Sequence, residues 1–387
     1  MKPCKTVTIL GSTGSVGCST VDLISGHRDK FTVKALTANK NVQLLARQAQ
    51  ALHAEYAVIA DEALYGDLKK ALAGTGVRAE AGHQAVVAAA GMPADWIMAA
   101  IVGAAGVEST LKAIEQGTTV ALANKESLVC AGPVMMQAVQ KHGTVLLPVD
   151  SEHNAVFQVF NTNQHGQIKR VILTASGGPF LRRTREELAG ITPAQAIRHP
   201  TWSMGAKISV DSATMMNKSL EIIEASYLFN LESDEIEVLI HPQSIVHSMV
   251  EYIDGSILSQ MGAPDMRTPI AHTLAWPERI ATTGDILNLS NNINLSFEPI
   301  DLNRFPAVKM ARQVLQGGAG ASTAFNAANE IAVAAFLSGQ LKFSEIESVV
   351  GEVLHRVHIQ PISTIQDVFS LDHDARRIAS AVIAGVN

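Results

Sequence analysis

The chain has 387 residues, of which 47% are hydrophobic, and its 30 lysines and arginines against 36 aspartates and glutamates leave a formal charge of −6. This length predicts two or three domains. The weakly negative net charge argues against a nucleic-acid-binding surface rich in lysine and arginine. The three cysteines lack metal-ligand spacing and are typical of a reducing compartment. No apolar stretch reaches the roughly 20 residues of a membrane span. Since residues 1–10 leave no room for a leader, we expect a cytoplasmic protein.

Short β-branched runs alternate with helical patterns through the first 150 residues. This alternation is typical of βα units and predicts a parallel, doubly wound, Rossmann-like sheet over residues 1–150. The predicted strands are residues 6–10, 31–36, 56–60, 96–100, 119–122 and 144–149.

The turn after the first predicted strand is rich in glycine and reads Gly11-Ser-Thr-Gly14-Ser-Val-Gly17. Glycines allow a tight turn and a close approach of the backbone to a pyrophosphate, while the following helix presents free N–H groups to phosphate. The spacing is GxxGxxG, with Thr13 where the common fingerprint has its second glycine. We therefore favour a dinucleotide site, with a plain turn as the alternative.

The end of the second predicted strand bears on the choice of nicotinamide cofactor. NAD enzymes usually place a carboxylate here, on the ribose 2′-hydroxyl, but residues 36–41 read LTANKN and contain none. Because Lys40 is available for a 2′-phosphate, the sequence favours NADP. The alternative is that Lys40 is an ordinary surface lysine.

Two carboxylates, Asp150 and Glu152, follow the last strand of the predicted sheet. Their spacing would place both on one side of an extended segment. Glu221 or Glu224, which share one face of a predicted helix, could complete a cation site. Oxygen ligands favour Mg²⁺ or Mn²⁺ over Zn²⁺. The alternative is that Asp150 and Glu152 only start the next helix through capping and dipole effects.

Beyond Asp150 the strand-like runs are more widely spaced, which predicts an α+β domain over residues 151–275. Asparagine-rich residues 276–301 predict a linker, and the helical patterns of residues 302–387 predict a C-terminal helical bundle. The strands predicted in the second domain are residues 170–174, 237–240 and 248–252.

Candidate phosphate ligands lie in this second predicted domain. They are the Ser176-Gly-Gly-Pro turn, Ser212, and Asn217 with Lys218, which together offer hydroxyl, amide and ammonium donors. Each motif is short, and Ser-Gly-Gly-Pro is also an ordinary turn.

Residues 199–205, HPTWSMG, join a tryptophan to helix-breaking residues. Such a segment suits a mobile flap that covers a ligand and excludes water. The alternative is a static loop whose Trp202 packs at the edge of a core.

Taken together, these segments resemble the 1-deoxy-D-xylulose 5-phosphate reductoisomerase family over nearly the whole chain. The motifs are ILGSTGSVG, AIVGAAG, LANKESLV, LLPVDSEHNA, SGGPF, HPTWSMGAKISVDSATMMNKSLE, HPQSIVHSMVEY, PDMRTPIAHTLAWP and AFNAANEIAV. The resemblance implies an enzyme that uses NADPH and a divalent metal to rearrange and reduce the phosphosugar 1-deoxy-D-xylulose 5-phosphate. The implied product is 2-C-methyl-D-erythritol 4-phosphate, an isoprenoid precursor. It also implies a homodimer, with residues 151–275 as the catalytic and dimerisation domain that holds the metal site and the flap.

The resemblance also implies a role for each matching position of this sequence. The implied ligands of Mg²⁺ or Mn²⁺, with Co²⁺ as a further candidate, are Asp150, Glu152 and Glu221. The implied catalytic set is Lys125, Asp150, Glu152, Glu221, His153 and His199. The implied substrate-binding residues are Lys125, Ser151, Glu152, Ser176, His199, Trp202, Ser212, Asn217, Lys218 and Glu221. The implied NADPH-binding residues are Thr13, Gly14, Ser15, Val16, Asn39, Lys40, Asn41, Asn124, Glu126 and Gly205.

Two rival interpretations compete with this one. Another NADP-dependent oxidoreductase, such as a homoserine-dehydrogenase-like enzyme, shares the glycine-rich start and an Ala-Asn-Lys turn, but it would not explain the DSE and NKSLE motifs. A catalytically silent NADP-binding sensor should have lost one of Asp150, Glu152 or Glu221, and all three are present.

Overall fold

The computed structural model describes residues 4–202, 204–290 and 293–386. It divides into two compact units. The first unit comprises Met1–Ser127, Met135–Asn154 and Met266–Gly284. The second comprises Leu128–Val134, Ala155–Asp265 and Asp285–Asn387. Ser203 of the expected flap, and Asn291 and Asn292 of the expected linker, lie outside the described residues.

The first unit is built on a seven-stranded sheet with the order β4-β3-β2-β1-β5-β6-β7. Every neighbouring pair in this sheet is parallel. The strands are β1 (Lys5–Leu10), β2 (Phe31–Ala38), β3 (Tyr56–Ile59), β4 (Arg78–Ala81), β5 (Trp96–Ala99), β6 (Thr119–Leu122) and β7 (Val145–Pro148). This is the doubly wound, Rossmann-like sheet that the sequence predicts, and the order reverses beside β1, where such sheets bind their ligands.

The six strands predicted in the first unit are confirmed, but the edge strand β4 was missed. Its sequence, RAEA, contains no β-branched or aromatic residue, so it carries no strand signal. Pairing with β3 forms it nonetheless.

Helices separate the strands of the first unit and cover its sheet. Helix α6 departs from helical geometry at Ala131, shortly before Pro133, and its residues Leu128–Val134 belong to the second unit. The helices are α1 (Ser15–Gly26), α2 (Val42–Leu52), α3 (Tyr65–Ala71), α4 (His83–Ala90), α5 (Val107–Ile114) and α6 (Lys125–His142).

A five-stranded mixed sheet organises the second unit, with the order β11-β10-β8-β9-β12. Strands β8 and β9 are parallel and the other pairs are antiparallel. The strands are β8 (Ile168–Ala175), β9 (Ile236–Ile240), β10 (Val246–Tyr252), β11 (Ile257–Met261) and β12 (Glu298–Pro299). The three predicted strands correspond to β8, β9 and β10.

The remaining helices include the expected C-terminal helical region. Those between β7 and β12 in sequence are α7 (Ser151–Val159), α8 (Arg185–Leu188), α9 (Pro193–Ala196), α10 (Ala206–Thr214), α11 (Met216–Phe229) and α12 (Arg267–Ala275). The C-terminal ones are α13 (Ala307–Gln316), α14 (Ala319–Leu337), α15 (Ile346–Arg356) and α16 (Ile365–Val386). No helix in the described part of the chain has the length and apolar character needed to cross a membrane.

The compact units divide the chain differently from the boundaries expected at residues 150, 275 and 301. Helix α12 belongs to the first unit because its Ile270 and Leu274 are fully buried in the core beneath the parallel sheet. Within the expected linker, Glu298 and Pro299 pair with β9, and both oxygens of Glu298 accept hydrogen bonds from Arg182, at 2.5 and 2.7 Å. The described residues from 285 to 299 therefore belong to the second unit, although they lie in the expected linker.

Candidate active site

The glycine-rich turn lies at the carboxyl end of β1, and its glycines are required by close backbone contacts. Gly11 has φ +85°, and a Cβ there would lie 2.7 Å from the carbonyl oxygen of Ala100. A Cβ on Gly17 would lie 2.2 Å from the oxygen of Gly11, so only glycine lets α1 start this close to β1. Gly14 is the N-cap of α1 and provides no side-chain hydrogen bond. The first N–H groups of α1, at Ser15 and Val16, are thus placed to meet an anion.

At the end of β2, Asn39, Lys40 and Asn41 are exposed. Asn41 caps α2 by accepting a hydrogen bond from the backbone N–H of Leu44 at 3.1 Å. The Lys40 ammonium lies 3.9 Å from a carboxylate oxygen of Asp61, and 73% of its side chain is exposed. Sequence reasoning missed Asp61, because it follows a different strand and only the sheet brings it beside Lys40.

Asn124, Lys125 and Glu126 begin α6 at the carboxyl end of β6, and all three are buried. Asn124 caps the helix through the N–H of Ser127 at 3.3 Å and donates to the carbonyl of Gly103 at 3.1 Å. The Lys125 ammonium forms an ion pair with the Asp150 carboxylate. Adjacent ends of β6 and β7 therefore join two residues that are 25 positions apart in sequence.

The acidic turn comprises Asp150, which lies between β7 and α7, and the first two residues of α7, Ser151 and Glu152. The Ser151 hydroxyl donates to a Glu152 carboxylate oxygen at 2.6 Å. The backbone carbonyl of Asp150 accepts the N–H of Asn154 at 2.8 Å, so Asp150 directly precedes the first turn of α7. Its carboxylate forms the ion pair with Lys125. His153, the next residue, is fully buried.

In the second unit, the Ser176 turn and His199 lie in direct contact. The Ser176 hydroxyl is 2.9 Å from His199 Nε2. His199 Nδ1 accepts hydrogen bonds from the N–H groups of Thr201 and Trp202, at 3.1 and 3.0 Å. An Nδ1 that accepts leaves the proton of a neutral imidazole on Nε2, so His199 donates to Ser176.

The same turn packs directly on the end of α10. Gly178 has φ +68°, and a Cβ there would lie 2.8 Å from the carbonyl oxygen of Ser212. This close approach brings the Ser176 turn beside Ser212. Met215, with φ +62°, then separates α10 from α11.

Helix α11 carries a buried group of polar residues. Glu221 accepts a hydrogen bond from the amide of Asn217 at 2.5 Å and forms an ion pair with Lys218. Lys218 and Glu221 are almost completely shielded from solvent. The Glu221 carboxylate is thus held by an amide and an ammonium of its own helix.

Trp202 is partly buried, and its ring centroid lies 6.1 Å from that of His247, the second histidine of the HPQSIVHSMVEY motif. Gly205 is the N-cap of α10 and lies in open space. The structure thus places Ser176, His199, Trp202, Gly205 and the α11 residues in the second unit. Residues 13–16, 39–41 and 124–126 and the acidic turn lie in the first.

The doubly wound parallel sheet, with its glycine-rich turn at the start of α1, is typical of the class of dinucleotide-binding proteins. Three family models match the chain. They are 1-deoxy-D-xylulose 5-phosphate reductoisomerase over residues 7–132, its C-terminal domain over residues 146–229, and the DXP reductoisomerase C-terminal domain over residues 261–378. The chain therefore belongs to the 1-deoxy-D-xylulose 5-phosphate reductoisomerase family.

Individual proteins support the same assignment. The 1-deoxy-D-xylulose 5-phosphate reductoisomerase of Rhodospirillum centenum is 57% identical over 380 residues, covering 98% of this chain and 94% of its own. That of Zymomonas mobilis is 54% identical over 379 residues and covers 98% of both chains. A solved Zymomonas mobilis structure in complex with NADPH has a TM-score of 0.93 at 52% identity over 99% of both chains. Another reductoisomerase, with NADPH, fosmidomycin and magnesium, has a TM-score of 0.93 at 40% identity over 98% of both chains.

Proposed function

We propose that this protein converts 1-deoxy-D-xylulose 5-phosphate to 2-C-methyl-D-erythritol 4-phosphate with NADPH and a divalent cation. The observation that carries the proposal is the ion pair of buried Lys125 with partly buried Asp150 at the carboxyl edge of the parallel sheet. An ammonium and a carboxylate at this edge adjoin the place where such a sheet presents a nicotinamide. The names of the relatives, at 54–57% identity, support the same chemistry.

For NADPH, we propose contacts from the β1 turn, the end of β2 and the start of α6, together with Gly205 at the start of α10. NADPH supplies the hydride, and the chain supplies anion-binding N–H groups and the exposed Lys40 ammonium for the 2′-phosphate. The proposed contact residues are Thr13, Gly14, Ser15, Val16, Asn39, Lys40, Asn41, Asn124, Glu126 and Gly205.

For the metal, we propose Asp150, Glu152 and Glu221 as ligands. The donor set fits a hard cation, because all three side chains offer carboxylate oxygens and two of them already hold an ammonium in buried surroundings. A bound Mg²⁺, Mn²⁺ or Co²⁺ would supply Lewis acidity toward a substrate carbonyl and its neighbouring hydroxyl. Lys125 holds the Asp150 carboxylate in place, and Ser151 does the same for Glu152.

The phosphate of the substrate is proposed to bind in the second unit. His199 and Ser176 form a donor chain, with Ser212 beside them across Gly178. Asn217 and Lys218 add an amide and an ammonium. Trp202 would cover the bound sugar as part of the flap, and buried His153 would support the acidic turn that it follows.

We also infer a homodimer in the cytoplasm. The edge strand β11 exposes Ile257, Leu258 and Met261, and Ile253 precedes it on the connecting turn. An exposed apolar edge strand is a ready surface for a second copy of the chain. None of the three cysteines, Cys4, Cys18 and Cys130, forms a disulfide, as is usual in proteins of reducing compartments.

Glu221→Gln tests the proposed chemistry. The variant keeps the size of the side chain but removes its charge, so turnover of 1-deoxy-D-xylulose 5-phosphate should fall by about 1,000-fold or more, while NADPH affinity stays unchanged. NADPH consumption measures turnover, and the fluorescence of the bound cofactor measures affinity.

The matched control is Glu115→Gln. Glu115 also pairs with a lysine three residues before it, but both side chains are exposed. A wild-type protein that consumes no NADPH with this substrate and Mn²⁺ would refute the proposed function. An equal loss of NADPH affinity and turnover in Glu221→Gln would refute the separation of roles.

A further inference from the structure

Asn154 lies in the first turn of α7, two residues after Glu152, the last residue of the acidic turn. Its backbone N–H donates to the carbonyl of Asp150 at 2.8 Å. Its side-chain nitrogen lies 2.9 Å from the carbonyl of Pro148 and 3.1 Å from Nδ1 of His272, on α12. Pro148 precedes the turn and Asn154 follows it, so one buried side chain holds both ends of the segment that contains Asp150, Ser151 and Glu152.

The contact with Pro148 settles which way the Asn154 amide points. A carbonyl oxygen only accepts hydrogen bonds, so the NH₂ group and not the amide oxygen must face Pro148. The same nitrogen has a second hydrogen, and His272 Nδ1 lies within its reach. His272 Nδ1 is therefore an acceptor, which requires the neutral imidazole with its proton on Nε2.

The surroundings of His272 maintain this neutral form. Burial, with a smaller contribution from the charge of Arg279, lowers the pKa of His272 from 6.5 to about 4. At neutral pH the Nδ1 lone pair thus stays available to Asn154.

We propose that Asn154 and His272 are positioning residues that hold the Asp150–Glu152 turn in the geometry a divalent cation requires. The inference rests on the proposed function, since it concerns the metal site proposed there. Neither residue is offered as a metal ligand. His272 orients Asn154, and Asn154 fixes the ends of the turn from which Asp150 and Glu152 extend. Groups that orient metal ligands typically change metal affinity by 10- to 100-fold when they are removed.

Three substitutions separate this role from simple packing. His272→Leu replaces the imidazole with an apolar side chain of similar size and so removes the Nδ1 hydrogen-bond acceptor. His272→Asn restores an acceptor oxygen at the same number of bonds from Cα as Nδ1. Asn154→Ala removes the donor and tests the contact independently of His272. His27→Leu is the matched control, because His27 also bonds within this unit, to the carbonyl of Ala281 at 2.9 Å.

The readouts are Mn²⁺ affinity, from the electron paramagnetic resonance signal of free Mn²⁺, and NADPH affinity, from cofactor fluorescence. We expect His272→Leu and Asn154→Ala to weaken Mn²⁺ binding by about 10-fold or more, and His272→Asn to remain within about threefold of the wild type. NADPH affinity should be unchanged in all of them, which also verifies that each variant is folded. His27→Leu should match the wild type in both measurements.

Wild-type Mn²⁺ affinity in both His272→Leu and Asn154→Ala would overturn the inference while leaving the proposed function intact. Equal losses in His272→Leu and His272→Asn would also overturn it, because the acceptor would then be irrelevant. If the wild type bound no Mn²⁺, or if Asp150→Asn bound it as well as the wild type, the proposed metal site itself would fail, and the positioning role with it.

Discussion

At the scale of single residues, three lysine side chains differ in their exposure and in the carboxylates that they pair with. Lys125 and Lys218 are buried, and each forms an ion pair with a carboxylate, Lys125 with Asp150 and Lys218 with Glu221. Lys40 differs, since its ammonium is exposed and only distantly opposed by Asp61. An exposed ammonium at the end of β2 remains available for an incoming phosphate.

Lys40→Asp should reduce the preference for NADPH over NADH. The substitution replaces an attractive charge at the 2′-phosphate with a repulsive one and leaves Asp61 unopposed, so the ratio of kcat/KM values for the two cofactors should fall by about 100-fold, or about 2.8 kcal/mol. Steady-state kinetics with each cofactor measures the ratio. Lys70→Asp, an exposed lysine on α3, is the control. An unchanged ratio would show that Lys40 is an ordinary surface lysine.

At the scale of elements, the segment between α9 and α10 connects the proposed phosphate ligands to Trp202. His199 bonds to Ser176 on one side and to the N–H of Trp202 on the other, so an anion that displaces the His199–Ser176 bond would also change the anchoring of Trp202. The segment has no regular structure of its own in the described residues, and such loops are often the parts that close over a ligand.

Fosmidomycin, the ligand of a similar solved structure, should therefore change the fluorescence of Trp202. The measurement needs a background with Trp96→Phe and Trp276→Phe. Trp96 donates to the carbonyl of Thr273 at 3.0 Å, so thermal unfolding must verify that this background is folded. Trp202→Ala should lower kcat/KM by about 10- to 100-fold through poorer closure. Unchanged emission together with full activity would identify a static loop.

At the scale of the whole molecule, the second sheet ends in the edge strand β11, whose apolar side chains are exposed to water. Strand β11 pairs with β10 on one side only, and about half of the Ile257 and Leu258 side chains is exposed. Burying such a strand against a second copy removes apolar surface and open backbone groups from water together.

Leu258→Lys should weaken the proposed dimer. Each dimer contains the substitution twice, so a cost of about 1.4 kcal/mol per copy raises the dissociation constant about 100-fold. Light scattering across a dilution series measures the molar mass. Ile286→Lys is the control, because Ile286 is also apolar and exposed but lies outside the strand. A dissociation constant that Leu258→Lys leaves unchanged would exclude β11 from the interface.

Sequence alone determined those features whose cause is local. Six strands of the parallel sheet follow from short β-branched runs, and the glycine-rich turn follows from its GxxGxxG spacing directly after the first strand. The three central strands of the second sheet were equally evident. Strand β4, with its sequence RAEA, and β12, only two residues long, were not, because pairing with a neighbour forms them and no pattern of their own marks them.

Tertiary structure alone decided which distant residues meet. Asp150 could have been only a helix cap, until the adjacent ends of β6 and β7 placed it against Lys125. The bond from Asn154 to His272, across 118 residues, has no sequence signal, because it depends on α12 folding into the first unit and not into the second. Local periodicity encodes which face of an element is buried, whereas the partner of a polar side chain depends on the topology that brings separate elements together.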